Sequence, residues 1–314
     1  MNNYCYKRIS DDLISKLVPL YKNALDMELS KERIKNKFDT CQYSGKKYIA
    51  FLALDENEEA VALYAIFPAV IHCNGSNYIC GQVGDLMTHS EHRRKGLFIK
   101  LAELTHELAK NEGIKLIFTF PFGHNASYKG FVEHLGFFHA ESMRSYVIKV
   151  NTFPLCRLSY KNNLGIYIYN LYVKSIMRFF YSRKYSFDKN FQYKNGYVVK
   201  DENFFDYKFS YSPGFLIRLS GMSGWIKFTK FGSVSVGDFE QYTNLGKDIL
   251  QLKRFCFWTG IRAIQIETSH GTELDIFLKD KYLFLNNYHV CMLKLDSDIP
   301  FEKFKFVFGD MDNF

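Results

Sequence analysis

The stretch between residues 77 and 120 constrains the fold more than any other part of this 314-residue chain. A strand pattern at residues 77–88 runs into a polar, basic turn at residues 90–95. The helix pattern that follows ends at Gly113, a residue suited to closing a helix, and its leucines share one stripe (Leu97, Leu101, Leu104 and Leu108). Residues 114–120 are then apolar and of strand length, so the stretch predicts a strand–helix–strand unit.

The elements around this unit indicate an α+β fold with a mixed sheet. Residues 9–37 show helical spacing of apolar side chains, and further strand patterns cover residues 47–54 and 60–71. Asn74-Gly75 is a hairpin signal between the strand patterns on either side of it. A short helix pattern at 127–135 and a strand pattern at 145–150 follow the central unit. Antiparallel strands therefore come first, and strands alternating with helices come after them.

Charge and cysteine content narrow the class of protein. The formal net charge is +8, but Lys and Arg are spread along the chain without a basic tail, so we do not expect a nucleic-acid partner. Seven cysteines, an odd number, occur without any CxxC pair, which favours reduced thiols and a cytoplasmic location over a zinc site or disulfide framework. No apolar run approaches the ~18 residues of a spanning helix, so no integral membrane segment is expected.

Residues 151–200 separate two halves of the chain. Within them, residues 166–181 are rich in aromatic and aliphatic side chains, with Lys174 and Arg178 among them. One interpretation is a helix lying in a membrane interface. The other, which we favour, is an inter-domain helix packed on both lobes.

A faint internal repeat links the two halves. Residues 112–120 resemble residues 259–267 at an offset of 147, and each segment follows a helix pattern and precedes a short helix and a strand. Lys37-Phe38 likewise parallels Lys208-Phe209 at an offset of 171. Because the offset falls from 171 to 147 between these two matches, the second copy is shorter there by about 24 residues. The missing part includes any counterpart of residues 93–98. The pattern predicts a duplicated, degenerate module; chance similarity is the alternative.

The basic turn before the leucine-striped helix has the physical features of an anion site. The first N–H groups of a helix lack internal acceptors, and the helix dipole adds partial positive charge there. Gly96 has no Cβ, so a ligand can approach the backbone closely. Arg93, Arg94 and Lys95 add positive charge at the edge. These residues predict a phosphate-binding turn. The alternative interpretation is that they are ordinary solvent-exposed surface charges.

Residues 93–98, Arg-Arg-Lys-Gly-Leu-Phe, resemble the acetyl-CoA pyrophosphate motif of GNAT acetyltransferases, (Arg/Gln)-x-x-Gly-x-(Gly/Ala). Arg93 and Gly96 match this motif, whereas Phe98 departs from its small last residue. A second GNAT signature, Asn followed by Leu-Gly-Phe, is resembled by Asn125 and residues 135–137. The resemblance covers roughly residues 1–150. The overall pattern is also similar to two-lobed acyltransferases encoded with bacterial surface-polysaccharide genes.

This resemblance implies a domain organisation and a cofactor. Residues 1–150 would form a GNAT acyl-CoA-binding domain, residues 151–200 a linker and inter-domain helical segment, and residues 201–314 a degenerate GNAT-like domain. Acetyl-CoA or another acyl-CoA would serve as co-substrate, without a metal, held between two parallel strands at residues 82–88 and 114–120 that splay apart. The residues implied to bind it are Met87, Thr88, Arg93, Arg94, Lys95, Gly96, Leu97, Phe98 and Asn125.

The resemblance also implies direct attack by a primary amine on the thioester, with a backbone N–H near Met87 or Thr88 polarising its carbonyl. A base must remove the amine proton, and Asp85 is the first candidate, with a structural carboxylate as its alternative; His89 and His124 are loop candidates. The tyrosine that usually protonates the leaving thiolate is replaced by Val132. Tyr128, one helical turn earlier, is the substitute candidate, or the thiolate leaves unassisted.

The acceptor implied by the resemblance is a small-molecule amine, with an amino sugar or nucleotide-linked amino sugar as the leading hypothesis. One rival is aminoacyl transfer to a cell-wall precursor by a FemABX-like enzyme, a class that normally lacks the Arg-x-x-Gly turn in its first half. Another is a non-catalytic protein that retains the fold, which the departures at Phe98 and Val132 make credible.

Overall fold

The computed structural model describes residues 3–123, 125–153, 163–180, 196–219, 222–229, 232–240, 244–295, 298–312 and 314. Twelve strands in these ranges form one sheet. They are β1 (Cys5–Arg8), β2 (Ile49–Leu54), β3 (Ala60–Cys73), β4 (Ser76–Thr88), β5 (Leu116–Thr119), β6 (Phe138–Lys149), β7 (Tyr197–Val198), β8 (Phe215–Leu219), β9 (Met222–Phe228), β10 (Ser233–Phe239), β11 (Ala263–Thr268) and β12 (Phe284–Lys294).

The α-helices alternate with these strands along the chain. They are α1 (Leu17–Leu25), α2 (Lys31–Phe38), α3 (Cys41–Ser44), α4 (Leu97–Asn111), α5 (Ala126–Lys129), α6 (Asn163–Phe180), α7 (Glu202–Tyr211), α8 (Leu245–Thr259) and α9 (Glu273–Lys279). A π-helical turn, Gly130–His134, continues α5, and single 3-10 turns lie at Leu13–Lys16, Ser90–His92, Phe301–Lys303 and Phe308–Asp310.

The predicted strand–helix–strand unit is present in the first half. Strands β2, β3 and β4 pair antiparallel in sequence order, and β5 lies parallel to β4 after the crossover through α4. The predicted hairpin joins β3 and β4, with positive φ angles of 51° at Asn74 and 79° at Gly75, as a type I′ turn requires. The α+β class with a mixed sheet is therefore confirmed.

The second half repeats this order of elements. Helix α7 precedes the antiparallel strands β8, β9 and β10, and β11 lies parallel to β10 after the crossover through α8. Helix α9 and strand β12 then follow, as α5 and β6 do in the first half. The repeat seen in the sequence thus corresponds to a repeat of topology. The boundaries at residues 150 and 200 stay a prediction.

The two halves exchange their last strands. In the sheet order β1-β2-β3-β4-β5-β12-β6-β11-β10-β9-β8, strand β12 lies beside β5, and β6 lies beside β11. Both contacts are antiparallel, and β6 and β12 also pair with each other. Each half therefore completes the other's sheet, and the hydrogen-bonded ladder runs without a break across the middle of the molecule.

Helices cover both faces of this sheet. One face carries α1, α2, α3, α7 and the segment 299–314, whose apolar side chains surround Trp225 and Phe118. On the opposite face, α4 packs on the strands of the first half, and α8 and α9 pack on those of the second. Because both faces are covered, the residues of β3 are buried without a break from Ala60 to Ala69, and those of β4 from Cys80 to Gly84.

The helical region predicted at residues 9–37 is divided into shorter elements. Helix α1 ends where Asp26 adopts a left-handed conformation with a φ angle of 53°. Helix α2 starts afresh after Ser30, whose side chain accepts a hydrogen bond from the Arg33 N–H. The apolar periodicity was therefore correct for each piece, and the cap residues set the break.

Helix α6 differs from the inter-domain helix that the sequence favoured. Its inner face packs on the second half, where Ile176 contacts the apolar core and the Tyr169 hydroxyl donates to the Thr259 carbonyl. Its outer face is exposed, so it is not packed on both sides. None of the helices in the described ranges combines the length and apolar composition needed to cross a bilayer.

A buried carboxyl group at the seam between β6 and β11 gives a test of this packing. Burial raises the pKa of Glu267 to about 7, although a hydrogen bond from the Ser145 hydroxyl opposes the shift. The folded state therefore favours the neutral carboxyl, and the protein loses stability as pH rises from about 4.5, the ordinary value, to about 7. The full loss is on the order of 3 kcal/mol.

We expect Glu267→Gln to remove this loss, because the amide remains neutral at every pH. Urea titration measures the free energy of unfolding of both proteins. The value for the variant should rise relative to that for the wild type between about pH 5 and 8. Glu107→Gln, on the exposed side of α4, is the matched control and should follow the wild type. Parallel pH curves for Glu267→Gln and the wild type would contradict the burial of an ionisable group at this seam.

Candidate active site

The two parallel strands of the first half separate soon after they meet. Strand β4 pairs with β5 at Gly81 and Gln82, and beyond Gln82 it pairs with β3 alone. The cause is a β-bulge, in which Asp85 and Leu86 of β4 face the single residue Tyr64 of β3. Bulges bend and twist the strand that carries the extra residue, so β4 turns away from β5. The opening between them is the β4–β5 gap.

Two backbone features fix the bulge. Asp85 has a φ angle of 49°, in the left-handed region that Asp tolerates better than most residues. Gly84, next to it, has no room for a side chain, because a Cβ there would lie 2.4 Å from the Asp312 Oδ2 atom and 3.1 Å from Phe67. The Asp312 carboxylate therefore lies directly against the bulge.

The last residues of β4 direct one backbone amide into the gap. Met87 pairs with Leu63, and the His89 N–H donates to the Val61 carbonyl at 2.8 Å. Antiparallel strands alternate in direction, so Met87 bonds toward β3, whereas the N–H of Thr88 points to the opposite side. Of the two amides predicted to polarise a carbonyl, the Thr88 N–H is the one that faces the gap.

The turn after β4 leaves the start of α4 open. The N–H groups of Leu97, Phe98 and Ile99 have no acceptor within the described part of the chain, and no side chain caps the helix. Gly96 has a φ angle of 75°, and a Cβ there would meet nothing within 4 Å. Arg93, Arg94 and Lys95 are exposed on the same turn. We call residues 93–99 the anion turn, because this arrangement suits a diphosphate.

Phe98 does not fill the space in front of these amides. Its ring packs on Gly130, where a Cβ would lie 2.5 Å from it, and on Phe131, at 5.6 Å between ring centroids. The absence of a side chain at Gly130 thus accommodates the large residue at Phe98. The departure from the family motif is absorbed in the contact between α4 and the segment that follows α5.

Asn125 and Tyr128 are not directed at the gap. The Asn125 side-chain oxygen caps α5 by accepting from the Tyr128 N–H at 2.9 Å. The Tyr128 hydroxyl lies 3.2 Å from the Nδ1 atom of His139 on β6. Since β12 separates β6 from β5, this hydroxyl points away from the gap. The structure therefore brings Asp85, Thr88 and the anion turn to one strand end and leaves Tyr128 outside that group.

Asp85 is held in a buried ion pair. It accepts hydrogen bonds from the Tyr21 hydroxyl and, at 2.6 Å, from the Lys37 ammonium group. Burial raises the pKa of Asp85, and the nearby Asp312 carboxylate adds to this shift. The positive charge of Lys37 opposes it. Burial alone lowers the pKa of Lys37, but the two carboxylates outweigh it and leave that pKa raised. Lys37 is thus a shared cation between two carboxylates.

Asp312 is the more accessible of these carboxylates. Its Oδ2 atom lies 3.1 Å from the Lys37 ammonium group, and its side chain is 22% exposed, against 7% for Asp85. It lines a cavity of about 20 Å³, together with Gln82, Tyr207 and Lys208, which is room for about one water molecule. The C-terminal segment of the second half therefore supplies a carboxylate to the bulge of the first.

Lys208 is a second buried lysine at this cavity. Burial lowers its pKa to about 7, although Asp312 opposes the shift, and its ammonium group donates to the Met311 carbonyl at 2.5 Å. Sequence reasoning missed Lys37, Lys208 and Asp312 as site residues. The signal was present, because Lys37 and Lys208 belong to the two Lys-Phe pairs of the internal repeat.

The second half has a matching ion pair but no anion turn. Strand β10 is irregular before Asp238, whose carboxylate lies 2.9 Å from Lys200, and Lys200 also contacts Asp310 at 2.6 Å. At the start of α8, by contrast, the Asn244 side chain accepts a hydrogen bond from the Lys247 N–H. A side chain therefore occupies the helix start that is open in α4.

The remaining candidates add little to the site. The His89 ring accepts a hydrogen bond from the Glu91 N–H, and His124 lies outside the described residues. Within the described ranges, no three His, Cys, Asp or Glu side chains are grouped as metal ligands.

Comparison with known proteins agrees with this geometry. Residues 5–138 match the family model described as an acetyltransferase (GNAT) domain. A probable N-acyltransferase from Enterococcus faecalis V583 has a similar structure, with a TM-score of 0.62 and 12% identity over 94% of this chain and 73% of that one. A GCN5-related N-acetyltransferase from Kribbella flavida has a TM-score of 0.58 and 9% identity, over 94% of this chain and 72% of that one.

A third structure, a GCN5-related glucosamine N-acetyltransferase region in a fungal multi-domain β-N-acetylglucosaminidase, gives a TM-score of 0.51 and 13% identity over 93% of this chain and 38% of that one. No curated protein sequence matches the chain. At these identities the structures establish the fold, and the family model covers less than half of the chain. Residues 5–138, which contain the anion turn and the β4–β5 gap, therefore match a GNAT acetyltransferase domain, and the chain shares its fold with the N-acyltransferase structures.

Proposed function

We propose that this protein transfers an acetyl group from acetyl-CoA, or the acyl group of another acyl-CoA, to a primary amine of a small molecule by direct attack. The observation that carries the proposal is the open start of α4, where three N–H groups and three cationic side chains lie at the end of β4 beside the gap. A diphosphate group satisfies both features at once, because it accepts hydrogen bonds and carries negative charge.

The residues present fit acetyl-CoA, which supplies an activated thioester when bound. The N–H groups of Leu97, Phe98 and Ile99 would hold the diphosphate, and Arg93 and the residues after it would neutralise its charge. The Thr88 N–H would donate to the thioester carbonyl, where negative charge develops during attack. Such a donor typically contributes about 3 kcal/mol to transition-state stabilisation.

The proton of the attacking amine has a nearby acceptor. Asp85, the candidate favoured by the sequence, is engaged by Tyr21 and Lys37 and is nearly inaccessible. Asp312 shares Lys37, faces the cavity and lies against the bulge of β4. We assign proton removal to Asp312, directly or through one water, and assign to Asp85 the role of holding Lys37 in place.

We assign no tyrosine as the proton donor to the leaving thiolate. The hydroxyl of Tyr128, the substitute candidate, bonds toward His139 on β6, and Val132 is an apolar side chain packed beside α4. A thiol is acidic enough for its anion to leave without a proton donor. Departure of the free thiolate is therefore the mechanism that we favour.

An amino sugar is the acceptor class that we propose to test first. The cavity beside Asp312 has room for an amino group, so the rest of the acceptor would lie outside it. One of the similar structures is described as a glucosamine N-acetyltransferase region.

The anion turn can be tested by binding alone. Gly96→Glu would place a carboxylate in front of the open amides, and we expect the affinity for acetyl-CoA, measured by calorimetry, to fall at least about 100-fold. Gly271→Glu is the matched control, since Gly271 also has a positive φ angle, 77° against 75°, and open space at its Cβ. The control carries the same strain and charge and should bind as the wild type does.

Two results would remove the anion turn from the proposal. One is a wild-type protein that binds no acetyl-CoA up to millimolar concentration, which would favour a non-catalytic protein of the same fold. The other is an equal affinity in Gly96→Glu and the wild type.

The base can be tested by thiol release from acetyl-CoA with glucosamine, spermidine and a peptide amine as probe acceptors. We expect Asp312→Asn to lower kcat/KM by about 100-fold or more while the Kd for acetyl-CoA is unchanged. Asp238→Asn, which breaks the buried pair with Lys200 in the second half, is the control and should retain its activity once its stability is accounted for. Equal losses in both variants would indicate a structural role for Asp312. No release with any amine would overturn N-acetyl transfer itself.

A further inference from the structure

The outer face of α6 is an apolar stripe that no other part of the described chain covers. Its members recur at helical spacing, so they line up along one side of the helix. They are Leu164, Tyr167, Ile168 and Leu171, which are 68%, 62%, 57% and 47% exposed. We call these four residues the α6 stripe. Solvent-facing apolar or aromatic side chains at four successive positions of one helix face indicate a binding surface.

The helix is fixed with this stripe outward. On its inner side, Ile176 packs against the apolar core of the second half. The hydroxyls of Tyr169 and Tyr172 donate to the carbonyls of Thr259 and Trp258, at the end of α8. Rotating α6 to bury the stripe would break these contacts. The exposure of the stripe therefore follows from how α6 is anchored.

Positive charge is concentrated in the part of the sequence that contains α6. Helix α6 contains no Asp or Glu, and Lys174 and Arg178 continue the side of the stripe in its last turns and are exposed. Residues 151–200 contain nine Lys or Arg and one Asp, a surplus of eight that equals the formal net charge of the whole chain. Lys and Arg occur along the whole chain, but only in residues 151–200 do they outnumber Asp and Glu by this margin.

One of these nine does not contribute to a surface charge. Lys200 is buried between Asp238 and Asp310, which leaves a surplus of seven in residues 151–199. The other 264 residues are balanced, with 32 Lys or Arg and 32 Asp or Glu, by subtraction from the totals of 41 and 33. Residues 151–199 therefore carry nearly all of the net positive charge of the chain, which would attract a negatively charged partner.

We propose that α6 binds to the surface of an anionic lipid bilayer, lying parallel to it, with the α6 stripe in the boundary between headgroups and acyl chains. Lys174 and Arg178 would reach the lipid phosphates along apolar stems. An amphipathic helix of 18 residues, about 27 Å long, without acidic side chains and with Tyr beside Leu and Ile, has the composition of an interfacial helix.

The alternatives explain only part of this surface. A nucleic acid would use the cations but has no complement for the aliphatic side chains of Leu164, Ile168 and Leu171. A second copy of the chain would cover the stripe but would bring two positively charged segments together, which opposes association. An anionic bilayer complements both the charge and the apolar surface. The proposal does not depend on the acetyl-transfer reaction.

The test is flotation of the full-length protein with vesicles of phosphatidylcholine alone or mixed with phosphatidylglycerol. We expect binding to the mixed vesicles that weakens as salt is raised, and at least about tenfold weaker binding to phosphatidylcholine alone. Ile168→Glu with Leu171→Glu should lower the partition coefficient on mixed vesicles by at least about tenfold, because charges would enter the apolar boundary. Lys174→Glu with Arg178→Glu should do the same.

Leu25→Glu with Met27→Glu is the matched control, because these two residues are also exposed apolar side chains but lie at the end of α1 in the first half. This variant should bind mixed vesicles as the wild type does. Thermal unfolding of every variant shows whether the fold is retained, and acetyl-CoA binding reports separately on the anion turn.

Four outcomes would overturn the proposal, the last of them binding to a nucleic acid. The first is a wild-type protein that does not float with mixed vesicles at low salt. The second is a folded stripe variant that floats as well as the wild type. The third is a wild-type dimer, seen by light scattering, that the stripe substitutions dissociate while vesicle binding is absent or unchanged, which would assign the stripe to a second copy. Binding of RNA or duplex DNA that ignores Ile168 and Leu171, without vesicle binding, would assign the charge to a nucleic acid.

Discussion

The bulge of β4 is the feature on which the geometry of the site depends. It adds one residue opposite Tyr64, turns β4 away from β5 and directs the Thr88 N–H into the gap. A left-handed Asp85 is strained, and such a conformation persists when its surroundings hold it. Tyr21 and Lys37 donate hydrogen bonds to its carboxylate, and the Asp312 carboxylate packs against the neighbouring Gly84.

That network also joins the two halves. Asp312 reaches Lys37 in the first half, and Asp310, two residues earlier, reaches Lys200 beside Asp238 in the second. Buried ion pairs contribute little net stability, but removing one partner leaves an uncompensated charge and costs about 3–5 kcal/mol. The short C-terminal segment therefore fixes the relation of the halves, in addition to the exchanged strands β6 and β12.

The two halves repeat one topology, but only the first has an open helix start. In the first half, eight residues (89–96) join β4 to α4, and Gly96 leaves the amides uncapped. In the second half, five residues (240–244) join β10 to α8, and Asn244 caps the helix. Each half has a buried pair of lysine and carboxylate, although Lys37 and Lys200 do not occupy matching positions of the repeat, whereas the anion turn is present in one half only. The second half thus supplies strand β12 and Asp312 to a site whose anion turn belongs to the first.

The sequence alone determined the mixed sheet, the repeat and the anion turn, because helical and strand periodicity, Gly96 and its flanking cations are local signals. Only the tertiary structure decided that β6 and β12 exchange places, that Phe98 packs on Gly130, and that Tyr128 points toward His139. It alone brought Lys37, Asp85 and Asp312 together across as many as 275 positions of sequence. Contacts between distant segments depend on how whole faces pack, and no local pattern encodes which buried lysine will meet which carboxylate.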